Sequence, residues 1–275
     1  MNQNLLIEQI KQKQSFLCVG LDVDLEKIPS FLKAGDDPLF EFSKAIVDAT
    51  APYAVAFKPN IAFFEAYGAK GWTSLEKLIA YLNNAYPEIF TIADAKRGDI
   101  GNTAARYAKA FFETLGFDAV TVAPYMGRDA VEPFLTFSNK HAILLGLTSN
   151  KSATDFQYTL EGSTPLYEKV LTLSQQWKNA SQLMYVVGAT KPEALKKIRT
   201  LLPQAFLLVP GVGAQGGQLA AVANAGLNAH GGLLVNSSRG IIYAGIDRGF
   251  AQAAAKQAQI LQQEMQMYLS KMNII

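Results

Sequence analysis

The sequence is poor in the residues that staple small extracellular proteins and build metal centres. Its 275 residues contain one cysteine, Cys18, which excludes an internal disulfide. With only two histidines, His141 and His230, and no clustered cysteines, a histidine-based metal site is not expected. Residues 1–14 lack the apolar core of a signal peptide, and no apolar run reaches membrane-spanning length. We therefore expect a cytoplasmic location and no membrane partner.

An excess of charge of either sign is also lacking, with 25 basic against 23 acidic residues and a formal net charge of +2. This balance gives no indication of a nucleic-acid partner. A local absence is more informative, because no acidic residue lies between Glu193 and Asp247. The basic residues of that interval include Lys196, Lys197, Arg199 and Arg239. The interval is therefore a candidate place for an anion.

Eight short apolar runs, each ending at polar or turn residues, dominate the rest of the chain. They are continuous rather than alternating, which indicates strands buried on both faces. Segments with helical periodicity separate them, and this alternation indicates parallel pairing. The runs are residues 16–21, 54–57, 89–93, 119–122, 142–147, 183–187, 205–209 and 233–235.

We predict a single (β/α)8 TIM barrel over residues 1–275, with an N-terminal helix over 4–13 closing its bottom. An open doubly wound sheet is the alternative. Both architectures place chemistry at the carboxyl ends of strands. Residues 150–164 form a long predicted loop after the fifth strand and are a candidate lid. The other helices are predicted at 39–50, 74–86, 102–115, 165–177, 192–202 and from 250 onward.

Charged residues cluster where the predicted strands end. If the third strand continues through them, Asp94 and Lys96 project from the same face. Burying each ion is costly unless it is paired, so a strand end has no structural need for both. Lys58, after the second strand, would alternate with Asp94, Lys96 and Asp99 around the barrel mouth. Asp22, after the first strand, is a candidate acceptor for a sugar hydroxyl.

Each of these charged positions also has a plain structural interpretation. Asp94 and Lys96 could form a salt bridge on a surface turn. Lys58 could be a rim lysine that reaches to solvent along an apolar stem. Asp22 could cap a helix or pair with a rim cation.

A glycine-rich segment, residues 211–216, follows the seventh strand and matches G-x-G-x-x-G. A dinucleotide site is disfavoured, because the motif belongs in the first βαβ unit of its domain and because no acid follows about 20 residues later. A barrel binds phosphate with the loops after strands seven and eight. Gln215 and Arg239 lie in those loops and can donate to phosphate oxygens. The plain alternative is that these turns only cap the barrel and that Arg239 is solvated.

Four segments together resemble the orotidine 5′-phosphate decarboxylase family, in its longer bacterial type. They are Lys58, residues 94–103, residues 210–217 and Arg239, and the resemblance extends over nearly the whole barrel. The D-x-K-x-x-D-I-G-N-T element at 94–103 is its most specific part. The resemblance implies a cofactor-free enzyme without a metal, which removes CO2 from orotidine 5′-monophosphate to give UMP in pyrimidine synthesis. It also implies a homodimer with shared active sites.

The resemblance assigns catalytic roles to four charged residues. Lys58, Asp94 and Lys96 would come from one subunit, and Asp99 from its partner. Lys96 would protonate C6, and Asp94 would face the substrate carboxylate. A fixed ammonium near C6 suits this chemistry, because loss of CO2 leaves a carbanion that the ring delocalises poorly.

The resemblance also assigns five binding residues. Asp22 and the partner's Thr103 would bind the ribose. Ser149 would contact the pyrimidine, and Gln215 and Arg239 would hold the phosphate. Two other functions stay open at this point: a metal-dependent sugar-phosphate decarboxylase or aldolase of the same barrel type, and a non-catalytic phosphosugar-binding barrel.

Overall fold

The computed structural model describes residues 1–188, 192–211 and 217–275. Within these residues, eight parallel strands close into a barrel in which each strand pairs with its neighbour in the chain and the eighth pairs with the first. The predicted barrel is confirmed, and the open-sheet alternative is wrong. The strands are β1 Leu17–Leu21, β2 Ala56–Pro59, β3 Phe90–Arg97, β4 Ala119–Val122, β5 His141–Leu147, β6 Leu183–Val187, β7 Leu207–Pro210 and β8 Leu233–Ser237.

Helices follow most of the strands and cover the outside of the barrel. A π-helical turn, Ala110–Thr114, extends the fifth helix. No helix in the described ranges is long and apolar enough to cross a membrane. The helices are α1 Gln3–Lys13, α2 Pro38–Thr50, α3 Ile61–Glu65, α4 Gly68–Ala85, α5 Gly101–Lys109, α6 Leu166–Ser174, α7 Pro192–Leu201, α8 Gly217–Gly226, α9 Arg239–Ile242 and α10 Phe250–Lys271.

The core has two layers, one inside the barrel and one between barrel and helices. Every residue of β1 and of β6 is buried, as the continuous apolar runs predict. Asp37 is the N-cap of helix α2, and its side chain accepts a hydrogen bond from the Phe40 N–H. Pro38 is the first residue of the helix, a position that favours proline. On α10, Ala254, Ala258, Met265 and Leu269 are buried, and this face packs on the barrel and on α2.

Helix α1 lies across the amino-terminal end of the barrel, as predicted. Ile10 is fully buried there. Lys13 Nζ donates to the carbonyl of Ala54, 3.0 Å away and just before β2. At the other end of the helix, Gln3 Nε2 donates to the carbonyl of Ser181, 3.2 Å away and just before β6. The helix therefore closes the bottom and leaves the carboxyl-terminal mouth open for chemistry.

The predicted long loop after β5 has structure of its own. It contains a 3-10 turn, Lys151–Asp155, and a two-stranded hairpin of Leu160–Glu161 with Thr164–Pro165. Gln157 ties the segment to the barrel, because its side chain accepts from the Thr148 N–H at 2.8 Å and donates to the Thr148 hydroxyl at 2.7 Å. The lid hypothesis for this segment stays a prediction.

Candidate active site

Three of the predicted charged residues meet at the carboxyl-terminal mouth of the barrel. Lys58, on β2, donates from Nζ to Asp94 Oδ2 over 2.6 Å. Lys96 donates from Nζ to the other oxygen, Asp94 Oδ1, over 2.5 Å. Asp94 is thus an anion held between two cations, as the alternation of charges predicts.

Burial distinguishes this cluster from an ordinary surface salt bridge. The side chains of Lys58 and Asp94 are only 5% and 10% exposed, whereas that of Lys96 is 52% exposed. Lys58 is therefore not a rim lysine reaching for solvent. The ion pair compensates the cost of burying Lys58, and Lys96 is the cation that a ligand can reach.

The cluster shifts the pKa values of its buried members. Burial alone would raise the pKa of Asp94, but the charges of Lys58 and Lys96 outweigh it and lower that pKa to about 2. Burial would likewise lower the pKa of Lys58, but the charges of Asp94 and Asp22 raise it on balance. Asp94 and Lys58 therefore both stay charged at neutral pH.

The backbone of β3 departs from a regular strand through these residues. Ala93 pairs with Val120 and Arg97 pairs with Val122, so three residues of β3 lie opposite one residue of β4. Lys96 has φ +46°, in the left-handed region, which costs a non-glycine residue roughly 1–3 kcal/mol. The condition for a shared face by strand alternation, a regular strand through Asp94 and Lys96, is therefore not met. A bulge, and not strand alternation, brings Asp94 and Lys96 together.

Asp22 lies beside the cluster, at the end of β1. Its Oδ1 is buried and has no hydrogen-bond partner within the described residues. Tyr243 fixes the adjoining backbone, because its hydroxyl donates to the Asp22 carbonyl at 2.9 Å and accepts from the Asp24 N–H at 2.7 Å. In the described part of the chain Asp22 makes no helix-capping hydrogen bond and no ion pair. Its predicted role as an acceptor for a sugar hydroxyl stays a prediction.

Asp99 and Thr103, the other two predicted residues of the 94–103 segment, form no bond with the cluster in the described part of the chain. Asp99 Oδ1 accepts from the N–H of Ile100 at 2.7 Å, and no ion pair of Asp99 occurs among the described residues. Thr103 is exposed on the first turns of α5. Among the described residues, neither side chain makes a hydrogen bond or an ion pair with Lys96 or Asp94.

Ser149 lies at the mouth after β5, with its side chain exposed. It packs against the end of β6 at Gly188, where a Cβ atom would come within 2.8 Å of the Ser149 N atom. A larger residue at 188 would displace Ser149.

The residues predicted to bind phosphate are described only in part. Arg239 begins α9 directly after β8 and is exposed at the mouth. Gln215 and the rest of the glycine-rich segment beyond Gly211 lie outside the described residues.

The acid-free interval between Glu193 and Asp247 does not act as one anion site. Arg199 is occupied with backbone carbonyls at the bottom of the barrel, including that of Gly232 at 2.8 Å. Lys197 pairs with Glu168 at 2.6 Å. Of the four basic residues that suggested an anion, Arg239 is the one that stands at the mouth.

Two supporting contacts of the site were not predicted from the sequence. Thr121, on β4, accepts from the Lys96 N–H at 2.9 Å and donates to Asp94 Oδ1 at 3.2 Å. Arg97 donates to Glu65 Oε1 at 2.5 Å, which ties the end of β3 to α3. The motif contains Arg97, but nothing in the sequence identifies its partner. Thr121 is a polar residue in an otherwise apolar strand, a signal that sequence reasoning passed over.

The charged groups at the barrel mouth are ammonium groups and carboxylates. The described residues contain no group of three or more histidine, cysteine, aspartate or glutamate side chains that could hold a metal ion. Both oxygens of Asp94 accept hydrogen bonds from lysine. This arrangement can stabilise negative charge on a bound ligand and deliver a proton to it.

Known proteins are similar to this chain in sequence and in fold. Residues 15–256 match the model of the family described as orotidine 5′-phosphate decarboxylase / HUMPS family. An orotidine 5′-phosphate decarboxylase of Christiangramia forsetii is 59% identical over 272 residues, covering 99% of this chain and 100% of the relative. One of Flavobacterium johnsoniae is 62% identical over 265 residues, covering 96% and 97%. The structure of Leishmania donovani OMP decarboxylase has a TM-score of 0.80 at 37% identity, covering 95% of this chain and 99% of that chain.

Proposed function

The chain belongs to the orotidine 5′-phosphate decarboxylase / HUMPS family, and from this premise we propose how its barrel mouth removes CO2 from orotidine 5′-monophosphate to give UMP. The enzyme is a carboxy-lyase of pyrimidine synthesis. The observation that carries the mechanism is the Lys58–Asp94–Lys96 cluster, with one ammonium buried and the other open to a ligand.

Lys96 is the proton donor to C6 in this mechanism. As CO2 leaves, negative charge develops at C6, and a fixed ammonium beside it stabilises that charge without reorganisation. The proton of Lys96 then passes to C6 and completes UMP. The exposure of Lys96, together with its anchoring to Asp94, supports this role.

Asp94 faces the substrate carboxylate. Its pKa of about 2 keeps it ionised at neutral pH. Two like charges about 4 Å apart repel by roughly 4 kcal/mol at an effective dielectric constant near 20, which favours departure of CO2. We assign the larger share of catalysis to Lys96, because its interaction grows as the carbanion forms. Lys58 holds Asp94 in place from the buried side.

The substrate's other groups are bound around this cluster. Asp22 accepts from a ribose hydroxyl, which its unpartnered buried oxygen supports. Ser149 contacts the pyrimidine, and Arg239 and Gln215 hold the phosphate. Phosphate binding far from C6 supplies energy for closing loops over the reacting carbon.

The active form in this proposal is a homodimer in which Asp99 and Thr103 complete the partner's site. The exposure of Thr103, and the lack of a bond from Asp99 to its own chain's cluster in the described residues, support this arrangement. We also propose that residues 1–275 form one domain, because α1 and α10 both pack on the barrel. A cytoplasmic location stays a prediction from the sequence.

The decisive experiment follows CO2 release from orotidine 5′-monophosphate with the purified chain, with and without EDTA. We expect turnover that EDTA does not change. Lys96→Ala should lower kcat by about 10³-fold or more, because it removes both the proton and the charge. Lys256→Ala, at an exposed lysine of α10, is the control and should keep full activity.

Two results would contradict parts of this proposal. Complete loss of turnover in EDTA would favour the metal-dependent sugar-phosphate alternative over a cofactor-free enzyme. Full activity of Lys96→Ala would exclude Lys96 as the proton donor. The non-catalytic alternative is disfavoured, because Lys58, Asp94, Lys96 and Asp99 are all present and the relatives carry the decarboxylase name.

A further inference from the structure

A single residue of β4 faces the whole bulge of β3. Pairing of the two strands breaks after Ala93–Val120 and resumes at Arg97–Val122, so Asp94, Ala95 and Lys96 share Thr121 as their opposite residue. Thr121 is 1% exposed. Its hydroxyl is therefore a buried polar group that fills the bulge, in a strand whose other residues are alanine and valine.

The Thr121 hydroxyl closes a ring of hydrogen bonds through both catalytic side chains. It accepts from the Lys96 N–H at 2.9 Å. The hydroxyl has one proton to donate. Its nearer acceptor is Asp94 Oδ1, 3.2 Å from Thr121 Oγ1, and the Ala93 carbonyl is more distant at 3.5 Å. Asp94 Oδ1 in turn accepts from Lys96 Nζ at 2.5 Å. The backbone and the ammonium of Lys96 are thereby joined through Thr121 and Asp94.

This ring acts on a residue in an unfavourable conformation. Lys96 has φ +46°, which a lysine adopts only where surrounding contacts hold it. The N–H bond to Thr121 fixes the backbone of Lys96. The bond to Asp94 orients the carboxylate that receives the Lys96 ammonium. Without the hydroxyl, the N–H and the carboxylate oxygen would each lose a buried partner.

We infer that Thr121 is a positioning residue of the decarboxylase, which holds Lys96 in its left-handed conformation and aims its ammonium at the substrate. This inference rests on the proposed function and adds to it a residue that does not touch the substrate. A displacement of about 1 Å in a reacting group can cost about 10²-fold in rate. Thr121 should therefore affect the chemical step more than substrate binding.

The test compares three variants of the full-length protein. Thr121→Val removes the hydroxyl at nearly constant volume, and we expect kcat to fall about 10²-fold while KM stays within about threefold. Thr121→Ser restores the hydroxyl and should bring kcat back to within about threefold of the original.

Thr91→Val is the matched control, because Thr91 is also 1% exposed and also donates to a carboxylate, Asp118 Oδ2 at 3.0 Å, but at the barrel bottom. It should lower the melting temperature and leave kcat unchanged.

Equal kcat losses in Thr121→Val and Thr121→Ser, or unchanged kcat in Thr121→Val, would overturn the positioning role. Crystal structures of both variants decide the same question without an assay. The inference expects Lys96 to leave the left-handed region in Thr121→Val and to remain there in Thr121→Ser, and an unmoved Lys96 in Thr121→Val would contradict it. If the unsubstituted protein does not decarboxylate orotidine 5′-monophosphate, the proposed function is refuted. The variant structures would still decide how Lys96 is held.

Discussion

Asp94 is an anion between two cations, and its ionisation links the stability of the barrel mouth to pH. Its folded-state pKa of about 2 lies below the ordinary value of 3.8. The unfolded chain therefore takes up this proton first as pH falls. The contribution of the carboxylate, about 2 kcal/mol, is present above about pH 5 and is lost as pH falls toward 2.

The substitution Asp94→Asn should remove this contribution to stability. We expect its free energy of unfolding to be about 2 kcal/mol lower than that of the original protein at pH 7. The gap should close as pH approaches 2, because a protonated aspartate and an asparagine are nearly isosteric. Denaturant titrations of both proteins at a series of pH values measure this difference in the free energy of unfolding. In the Lys58→Met background the gap at pH 7 should be smaller, since one cation that lowers the pKa of Asp94 is gone. A gap independent of pH would contradict the ion-pair account.

At this scale, residue types could be predicted better than backbone conformation. Lys58, Asp94 and Asp22 were located by one rule, that polar residues at the carboxyl ends of buried parallel strands meet at the mouth. The left-handed Lys96 could not be predicted, because the hydrophobic pattern specifies a strand and carries no local signal for a bulge. Thr121 stands out as a polar residue in an apolar strand, but its partners could not be predicted, because they depend on the register between β3 and β4.

At the scale of elements, α7 is fixed to the barrel bottom by one buried guanidinium. Arg199 donates to the carbonyls of Gly226, Leu202, Ala205 and Gly232, at 2.7 to 2.8 Å. Burial lowers the pKa of Arg199 to about 10, so the group stays charged at neutral pH. No carboxylate of the described residues pairs with it. Its role is to join α7 to the segments that lead into β7 and β8.

Arg199→Met should therefore destabilise the protein by about 3 kcal/mol, because it leaves several buried carbonyls without a donor. Arg199→Lys should recover only part of the loss, since an ammonium cannot reproduce the guanidinium geometry. Lys196→Met, at an exposed lysine of the same helix, is the control and should change stability by less than about 0.5 kcal/mol. Denaturant unfolding measures all three. Equal stability of Arg199→Met and Lys196→Met would refute this role.

Periodicity predicted which elements exist, and tertiary contacts decided where they end. The predicted strands at 119–122 and 183–187 have the observed bounds, because each begins after a polar residue and ends close to a turn residue, Pro124 or Gly188. β3 runs four residues further than its apolar run, since pairing with β4 resumes at Arg97. The hairpin at residues 160–165 was not predicted. Gln157 holds that segment through a tertiary bond to Thr148, which local sequence does not reveal.

At the scale of the whole molecule, the proposed active site needs residues from two chains. Asp99 and Thr103 belong to the same motif as Asp94 and Lys96, yet in the described residues they form no bond with that pair. The adjoining surface has features of an interface, because Ile100 is 47% exposed and a cleft of about 870 Å³ beside it is lined by residues of α5 and of the turn at 132–136. A two-fold dimer would bring each chain's 99–103 segment to the other's mouth.

Mixing two inactive variants tests this arrangement. In a hybrid of Lys96→Ala and Asp99→Ala chains, one site carries both substitutions and the other carries neither. Random exchange at equal amounts makes half of the dimers hybrids, so we expect about one quarter of the original activity to return. Lys96→Ala mixed with Asp94→Ala is the control. Both residues belong to the same chain's site, so every site in that hybrid keeps one substitution and no activity should return. If the first mixture also stays inactive although mass spectrometry shows hybrid dimers, the shared site is excluded, and Asp99 must act within its own chain or not at all.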